Sequence, residues 1–506
     1  MSRRIAVAAA ALLAVAAPAA QASRTQESTF QDDNHLIYAP ADEVARTMDR
    51  MKALGADRLR ITVLWSAIAP DIGAKRRPPG FDAADPGAYP AGAWDHYDTV
   101  VELAAERGLG VNFNLTVPGP LWATGASPRP DIENRYAPSA TEFGDFVRAV
   151  GRRYPQVSYW TLQNEPNQPG WLDPQWVRSR GRWVEASPSI YRGMVDAAWS
   201  ALQETGHGMD TVLIGETAPK GVSVRGTTRA ISPGRFIKRL FCLDDHLQLL
   251  RGRRATERGC PASDSPAAFR TAHPALFAAA GYAHHPYELI FPPSRLPRHS
   301  DWYTIANLRS LSSLLSRIRA RFGIGDGWPL YLTEFGYQTD PPDPLGITPP
   351  EQARYLNQAE YIAYRNRRVR TLSQFLLYDD APLPGVAHSS PAAWATFQSG
   401  LDYLDGSAKP AQASYAFPLY LPSPSVRRGA RLHVWGLLRG APNGQAHRVD
   451  VLFRPRDSRG RFRRIARLRT QAARGYVDGR VRVRSSGSIR LRWGAVRSRA
   501  AAFRVR

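Results

Sequence analysis

The sequence predicts an α/β protein, a (β/α)8 TIM barrel followed by a small all-β, sandwich-like domain. Three observations carry that prediction. Residues 30 to 420 alternate short β-rich runs with amphipathic helical stretches, the pattern of a parallel sheet with crossover helices. The β-rich runs number eight, as a closed barrel requires. Beyond Leu421-Pro422-Ser423-Pro424-Ser425, which reads as a linker, the composition changes abruptly and the helical periods stop. The 506 residues, 43% of them hydrophobic and 22% charged, suffice for a large core and exclude a collagen-like, coiled-coil or wholly disordered chain.

In chain order, Arg3-Arg4, the apolar run Ile5 to Ala17 and Ala20-Gln21-Ala22 form the three parts of a secretory signal peptide, so residues 1–22 read as a leader cleaved after Ala22. The apolar run is shorter than the roughly 18 to 20 residues that span a bilayer, and no later stretch reaches that length. The expected strands are His35 to Tyr38, Arg58 to Trp65, Gly110 to Leu115, Val157 to Gln163, Thr211 to Gly215, Gly281 to His285, Leu330 to Glu334 and Leu372 to Leu377. Helical patterns separate them, among them Ala41 to Leu54, Ala93 to Arg107, Thr141 to Arg153 and Pro350 to Asn366. Two excursions interrupt the rhythm. Ala69 to Gly92, rich in Pro and Gly, follows a strand and so either walls a substrate cleft or forms a surface insertion. Lys220 to Ala280 carries both cysteines of the chain, Cys242 and Cys260, which in an oxidising compartment pair as one disulfide that staples a loop. The domains expected are 23–421, the barrel, and 422–506, where alternation in 431–435, 448–453, 479–484 and 488–493 suggests half-buried antiparallel strands with Pro442-Asn443-Gly444 as a hairpin turn.

The formal charge of +23 is concentrated in the second domain, where residues 422 to 506 hold 23 Arg, no Lys and three acids (Asp450, Asp457, Asp478). The barrel is nearly neutral, which argues against an acidic substrate for it. Outside the cell the plausible anionic partners of the tail are wall polymers, acidic polysaccharides or lipid headgroups; the bland reading is a solvated charged face. No aromatic-bearing RNA-binding motif is present, and no nucleic acid is expected as a partner.

Two carboxylates stand out because each ends a β run: Glu165 in Gln163-Asn164-Glu165-Pro166-Asn167 and Glu334 in Leu332-Thr333-Glu334-Phe335-Gly336. In a barrel the ends of the strands point into the mouth where catalytic groups collect. Either acid alone could be a helix cap or a loop partner. With Asn-Glu-Pro after the fourth strand and Thr-Glu-Phe-Gly after the seventh, the chain resembles the clan A retaining glycoside hydrolases, the cellulase-like superfamily of family five and family thirty-nine enzymes. The resemblance spans roughly residues 30 to 418 and implies that Glu165 is the general acid/base and Glu334 the nucleophile. It also implies that Arg60, in the second strand, holds the nucleophile, that Asn164 binds the sugar 2-hydroxyl, and that His285 and Tyr287 of His284-His285-Pro286-Tyr287 orient the nucleophile. Trp394 is the available candidate for the clan's eighth-strand tryptophan beneath the sugar. The segment Gly400 to Ala411 resembles the clan's closing segment.

The His pair has polar packing as its bland reading, and a metal site lacks a third ligand at motif spacing, so no metal is expected, nor any organic cofactor. Trp65, Trp122, Trp171 and Trp176 follow strands and offer flat faces for sugar C–H groups, with core or lid packing as the alternative for each. The function expected is thus a secreted or wall-associated retaining glycosidase that cleaves a poly- or oligosaccharide by double displacement. A non-catalytic carbohydrate-binding or cell-wall protein on the same barrel is the alternative, since a fold alone does not establish turnover. An endo-acting glucanase or mannanase and an exo-acting xylosidase-like enzyme both remain open.

Overall fold

A computed structural model describes residues 23–261 and 265–506; the expected leader, residues 1–22, lies outside the described residues. Eight parallel strands close into a barrel: β1 Glu27–Gln31, β2 Arg58–Leu64, β3 Gly110–Thr116, β4 Tyr159–Leu162, β5 Thr211–Thr217, β6 Gly281–His284, β7 Leu330–Leu332 and β8 Val369–Phe375. Each pairs with its neighbour in sequence, and β1 closes on β8 with Glu27 opposite Thr371 and Gln31 opposite Phe375. Helices such as Ala41–Ala53, Ala140–Arg153 and Pro349–Tyr364 return the chain outside the sheet, burying residues like Met48, Phe146 and Leu356 against it. No described helix is long and apolar enough to cross a membrane.

The first strand departs from expectation. His35 to Tyr38 overlaps a short helix, Asp33–Leu36, and the strand is Glu27–Gln31. The sequence Glu-Ser-Thr-Phe-Gln looks too polar for a strand in which all residues after the first are buried. The barrel, however, supplies partners: Asp57 accepts from the Ser28 amide at 2.8 Å, and Gln31 Nε2 donates to Asp33 at 3.0 Å and Thr62 at 3.3 Å. Buried polar groups with partners are tolerated, so hydropathy alone misplaces this element.

The excursion at Ala69 to Gly92 is packed down. Arg77 reaches Glu142 at 3.1 Å, and Arg152 donates to the Ala84 carbonyl at 2.8 Å. In the second excursion Cys242 and Cys260 form the expected disulfide.

Beyond the barrel, one sheet pairs Leu419–Tyr420 with Arg431–Leu437 and the latter with Tyr476–Arg482. A second sheet runs in the order Ser425–Val426, Ala501–Val505, Gly487–Trp493, Arg448–Pro455, Arg463–Arg469. Pro442 to Gly444 is a turn but not a hairpin, because the strands before and after it belong to different sheets. The Leu421 to Ser425 segment is no loose tether: Leu421 and Val426 enter the second core, and the Arg504 amide bonds the Pro424 carbonyl at 2.8 Å.

Candidate active site

At the C-terminal ends of the strands, six ionisable side chains meet. Arg60 leaves β2 fully buried, with Nη1 donating to Glu334 at 2.9 Å and to Gln31, and Nη2 donating to Asn164 at 2.7 Å and Glu216 at 2.5 Å. His285, just past β6, places Nδ1 2.9 Å from Glu165 and 3.4 Å from Glu334, and Nε2 2.9 Å from Glu216. The Tyr287 hydroxyl donates to the second oxygen of Glu334 at 3.1 Å. The structure thus brings together Arg60, Asn164, Glu165, His285, Tyr287 and Glu334.

Local backbone geometry aims these groups. Gln163, Glu165 and Glu216 all have positive φ, at 65°, 35° and 47°. For residues with a Cβ this is a strained conformation that persists only where the surroundings enforce it. Here the Glu165 amide donates to the Glu216 carbonyl at 3.0 Å, tying the end of β4 to the end of β5. Gly215, at φ 111°, is required: an added Cβ would stand 2.6 Å from the Tyr282 ring and 2.7 Å from the Ala283 carbonyl oxygen.

Glu216 is the residue that the sequence reading misses. It has the same signature as the other two acids, a carboxylate at the end of a β run, but the fifth strand was expected to stop at Gly215. Burial alone would raise its pKa; Arg60 and His285 together outweigh burial and hold it down to about 2. Burial likewise opposes charge on His285, yet Glu334, Glu165 and Glu216 raise it to about 10. Its neighbour His284, bonded to Thr217 and the Tyr303 carbonyl, is lowered by burial to about 3 and is a neutral packing residue. Adjacent histidines are thus shifted in opposite directions.

Two cations, Arg60 and His285, face three carboxylates, so charge balance admits one proton on the Glu165–Glu334 pair. Burial, with Glu165 and Glu216 beside it, holds the Glu334 carboxyl above its ordinary value although His285 and Arg60 pull it down. One oxygen of Glu334 faces Arg60, a pure donor, and the other accepts from the Tyr287 hydroxyl. Two donors on one carboxyl favour its ionised form. A carboxylate oxygen of Glu165 and one of Glu334 lie within 4.8 Å of each other and of a His285 nitrogen. These atoms are of the types that bind a divalent cation, and both His285 nitrogens face carboxylates.

Trp394 lies on the same face, in the loop after β8, with its contacts made inside that loop. It ends the turn Pro391–Trp394, donates Nε1 to the His388 carbonyl at 2.9 Å and packs on the His388 ring. The ring from that loop that approaches the cluster is Phe397, 5.2 Å from Phe375, which meets Tyr287 at 6.3 Å. Trp65, Trp122 and Trp176 are buried in packing: Trp65 stacks on Phe146 at 5.4 Å, and the other two donate to backbone carbonyls of Pro70 and Arg229.

No protein-family model matches the chain, and no curated protein matches it in sequence. Among solved structures, a family 39 glycoside hydrolase from the gut symbiont Bacteroides cellulosilyticus WH2 superposes with TM-score 0.48 and 12% identity, covering 91% of this chain and 80% of that one. GH5_18 from Streptomyces cattleya gives TM-score 0.45 at 16% identity over 81% of this chain and 86% of that one. A family 1 β-glucosidase from Thermotoga maritima gives 0.43 at 11% identity over 75% and 92%.

Proposed function

We propose that this chain is a secreted retaining glycoside hydrolase. The observation that carries the reading is that Glu165 and Glu334 converge on one nitrogen of His285, at 2.9 and 3.4 Å, at the mouth of the barrel, with one oxygen of each within 4.8 Å of the other. Carboxyl groups about 5 to 5.5 Å apart suit double displacement, whereas inversion needs about 6.5 to 9.5 Å to seat a water between them. Glu334, held by Arg60 and Tyr287, attacks the anomeric carbon as Glu165 gives its proton to the departing oxygen. The C–O bond to the leaving group breaks and a glycosyl ester on Glu334 forms. Glu165 then takes a proton from water, whose oxygen displaces Glu334 and restores the starting charges. Asn164, fixed through Oδ1 by Arg60, is placed for a sugar hydroxyl.

The second domain supports a further element of the proposal, adhesion to an anionic wall polymer. On its outer sheet Asp450 faces Arg467 and Arg492, and one row along Leu452 faces Arg464 and Arg490. Asp450 is a single carboxylate among Arg464, Arg467 and Arg492, at 3.7, 3.0 and 2.7 Å. The excess of guanidinium suits carboxylate or phosphate groups repeated along a chain.

The test of turnover is sugar release from a panel of aryl β-glycosides and polysaccharides, with Glu334→Gln as control and the product anomer read by proton NMR. Retention at first release is expected. Inversion overturns the mechanism, and no turnover of any substrate favours the non-catalytic binding protein.

A further inference from the structure

Polar groups crowd the bottom of the barrel mouth, and exposed large apolar side chains stand around its rim among charged ones. Among the described residues, fifteen large apolar side chains are exposed. Twelve of them lie in the segments that lead from the end of a barrel strand to the return helix outside the sheet, on the face where the carboxylates converge. At the other end of the barrel, which the second domain covers in part, Met209 is the single example among the described residues.

The loop after β6 concentrates this feature. Leu289, Ile290, Phe291 and Pro292 are exposed in succession, two residues beyond Tyr287, with Leu289 at 57% and Ile290 at 47%. Such a run on the surface of a soluble protein is disfavoured unless it has a use. Leu289 also has φ 72°, a strained setting for a branched side chain and a mark of functional loops. The loop is fastened and not merely adrift. Glu288 is buried with Lys220 Nζ 3.7 Å away, the Tyr337 hydroxyl donates to the Phe291 carbonyl at 2.9 Å, and the Ile305 amide donates to the Pro286 carbonyl at 2.9 Å. From the nucleophile outward the wall is continuous. Tyr287 touches Glu334, Phe335 stacks on Tyr287 at 6.2 Å, and Phe375 joins Tyr287 to Phe397, which is 49% exposed.

We infer that this rim is a subsite for an apolar aglycone, so that the glycosides cleaved carry an alkyl or lipid-like leaving group. The inference rests on the glycosidase reading and names the substrate class of the same site. A sugar needs directed hydrogen bonds, which Arg60, Asn164 and the carboxylates concentrate at the bottom of the mouth. Leu289, Ile290 and Leu296 offer neither hydrogen bonds nor the flat π face on which a further sugar ring stacks, and one face of the Phe291 ring is covered by Arg295 at 3.4 Å, which leaves Phe397 as the open ring of this wall. A methylene chain laid over them removes apolar area of both partners from water.

Two experiments on the full-length protein test this. In the first, alkyl glycosides of the sugar best turned over in the aryl panel are compared from ethyl to octyl, whose alcohols are leaving groups of nearly equal basicity. We expect kcat/KM to rise by roughly tenfold or more along the series, well below the limit for six fully buried methylenes. In Leu289→Asn/Ile290→Asn/Phe291→Asn the rise should collapse. A flat or falling series, or kcat/KM that grows with added sugar units instead, overturns the inference. The second experiment needs no turnover: native protein should bind the fluorescent probe anilinonaphthalene sulfonate and release it to octyl glucoside below its micelle concentration but not to glucose. Failure to bind the probe, or binding untouched by the triple substitution, overturns the subsite. Dimerisation abolished by the same substitution makes a second copy the occupant and also overturns it. Probe binding with no glycoside cleaved removes the glycosidase reading and with it the aglycone, leaving a plain apolar-ligand site, so the two failures are distinguishable.

Discussion

At Glu216 a carboxylate with no exposure meets Arg60 Nη2 at 2.5 Å and His285 Nε2 at 2.9 Å. The two shifts run in opposite senses. Glu216, lowered by Arg60 and His285 against burial from 4.5 to about 2, contributes stability that is full above pH 4.5 and lost as pH falls through 2. His285, raised by three carboxylates against burial from 6.5 to about 10, contributes stability that is full below pH 6.5 and lost as pH rises through 10. Urea midpoints should therefore show this contribution level between those inner limits and declining toward alkaline pH. Glu216→Gln removes one anion from His285 and should move the alkaline limb of kcat/KM to lower pH, with a loss at neutral pH of up to about 10²-fold, as for a misplacement near 1 Å. A limb that stays in place while only the melting temperature falls would reduce Glu216 to packing. The roles of the reacting acids separate by azide: Glu165→Ala should yield a glycosyl azide with net retention from an activated aryl glycoside, and Glu334→Ala one with inversion. The reverse stereochemistry exchanges the assignments. Glu165 and Glu334 were legible because each ends an apolar run. Glu216 follows the same rule and was lost by one residue, and Gln31, which receives Arg60, was lost with the first strand.

Among the elements, seven of the eight strands could be found from their β-branched and aromatic runs, whereas β1 could not. Its Ser28 and Gln31 are buried with partners, Asp57 and Arg439 for Ser28 and Asp33 and Thr62 for Gln31, and all of these but Asp33 are remote in sequence. Local pattern holds no record of such partners. The turn at Pro442 to Gly444 shows the converse, because its chemistry announces a reversal but not which sheet the next strand joins. Gly215 allows a test at this scale. Gly215→Ala drives a Cβ into the Tyr282 ring and the Ala283 carbonyl at the end of β5, and should cost about 2 kcal/mol or more along with most of the activity. Gly181→Ala, also at positive φ (78°) but with nothing within 4 Å, should cost only the backbone strain, about 1 kcal/mol. Equal denaturation midpoints for the two variants would show that the end of β5 yields freely and does not set Glu216.

Across the whole molecule, the split of charge at residue 422 suggests two bodies with separate tasks, and the contacts between them correct that picture. The arginine-rich domain lies against the helix Pro349–Tyr364 and the N-terminal ends of β1 and β2, opposite the carboxylates. Arg439, nearly all buried, bonds Glu360 and the Ser28 hydroxyl and lies 3.8 Å above the Tyr415 ring, while Arg474 bonds Asp57. Tyr364 from the barrel packs with Trp435 and Tyr476 from the sheets. A chain ending near Ser423 would leave Glu360 without its cation and bare this apolar seam, so truncation should yield a poorly folded barrel and not an independent enzyme. The point substitution isolates the cause. Arg439→Leu strands a buried carboxylate and should cost about 3 to 5 kcal/mol, whereas Arg439→Leu combined with Glu360→Leu removes both charges and should recover most of that loss. Because the pair lies at the far end of the strands, kcat/KM of the folded fraction should stay within about twofold in both variants, as expected for sites without shared partners. Urea midpoints and initial rates at low temperature measure the two quantities. If the double variant is as unstable as the single one, the shape of Arg439 and its contact with Tyr415 hold the domains together, and its charge does not.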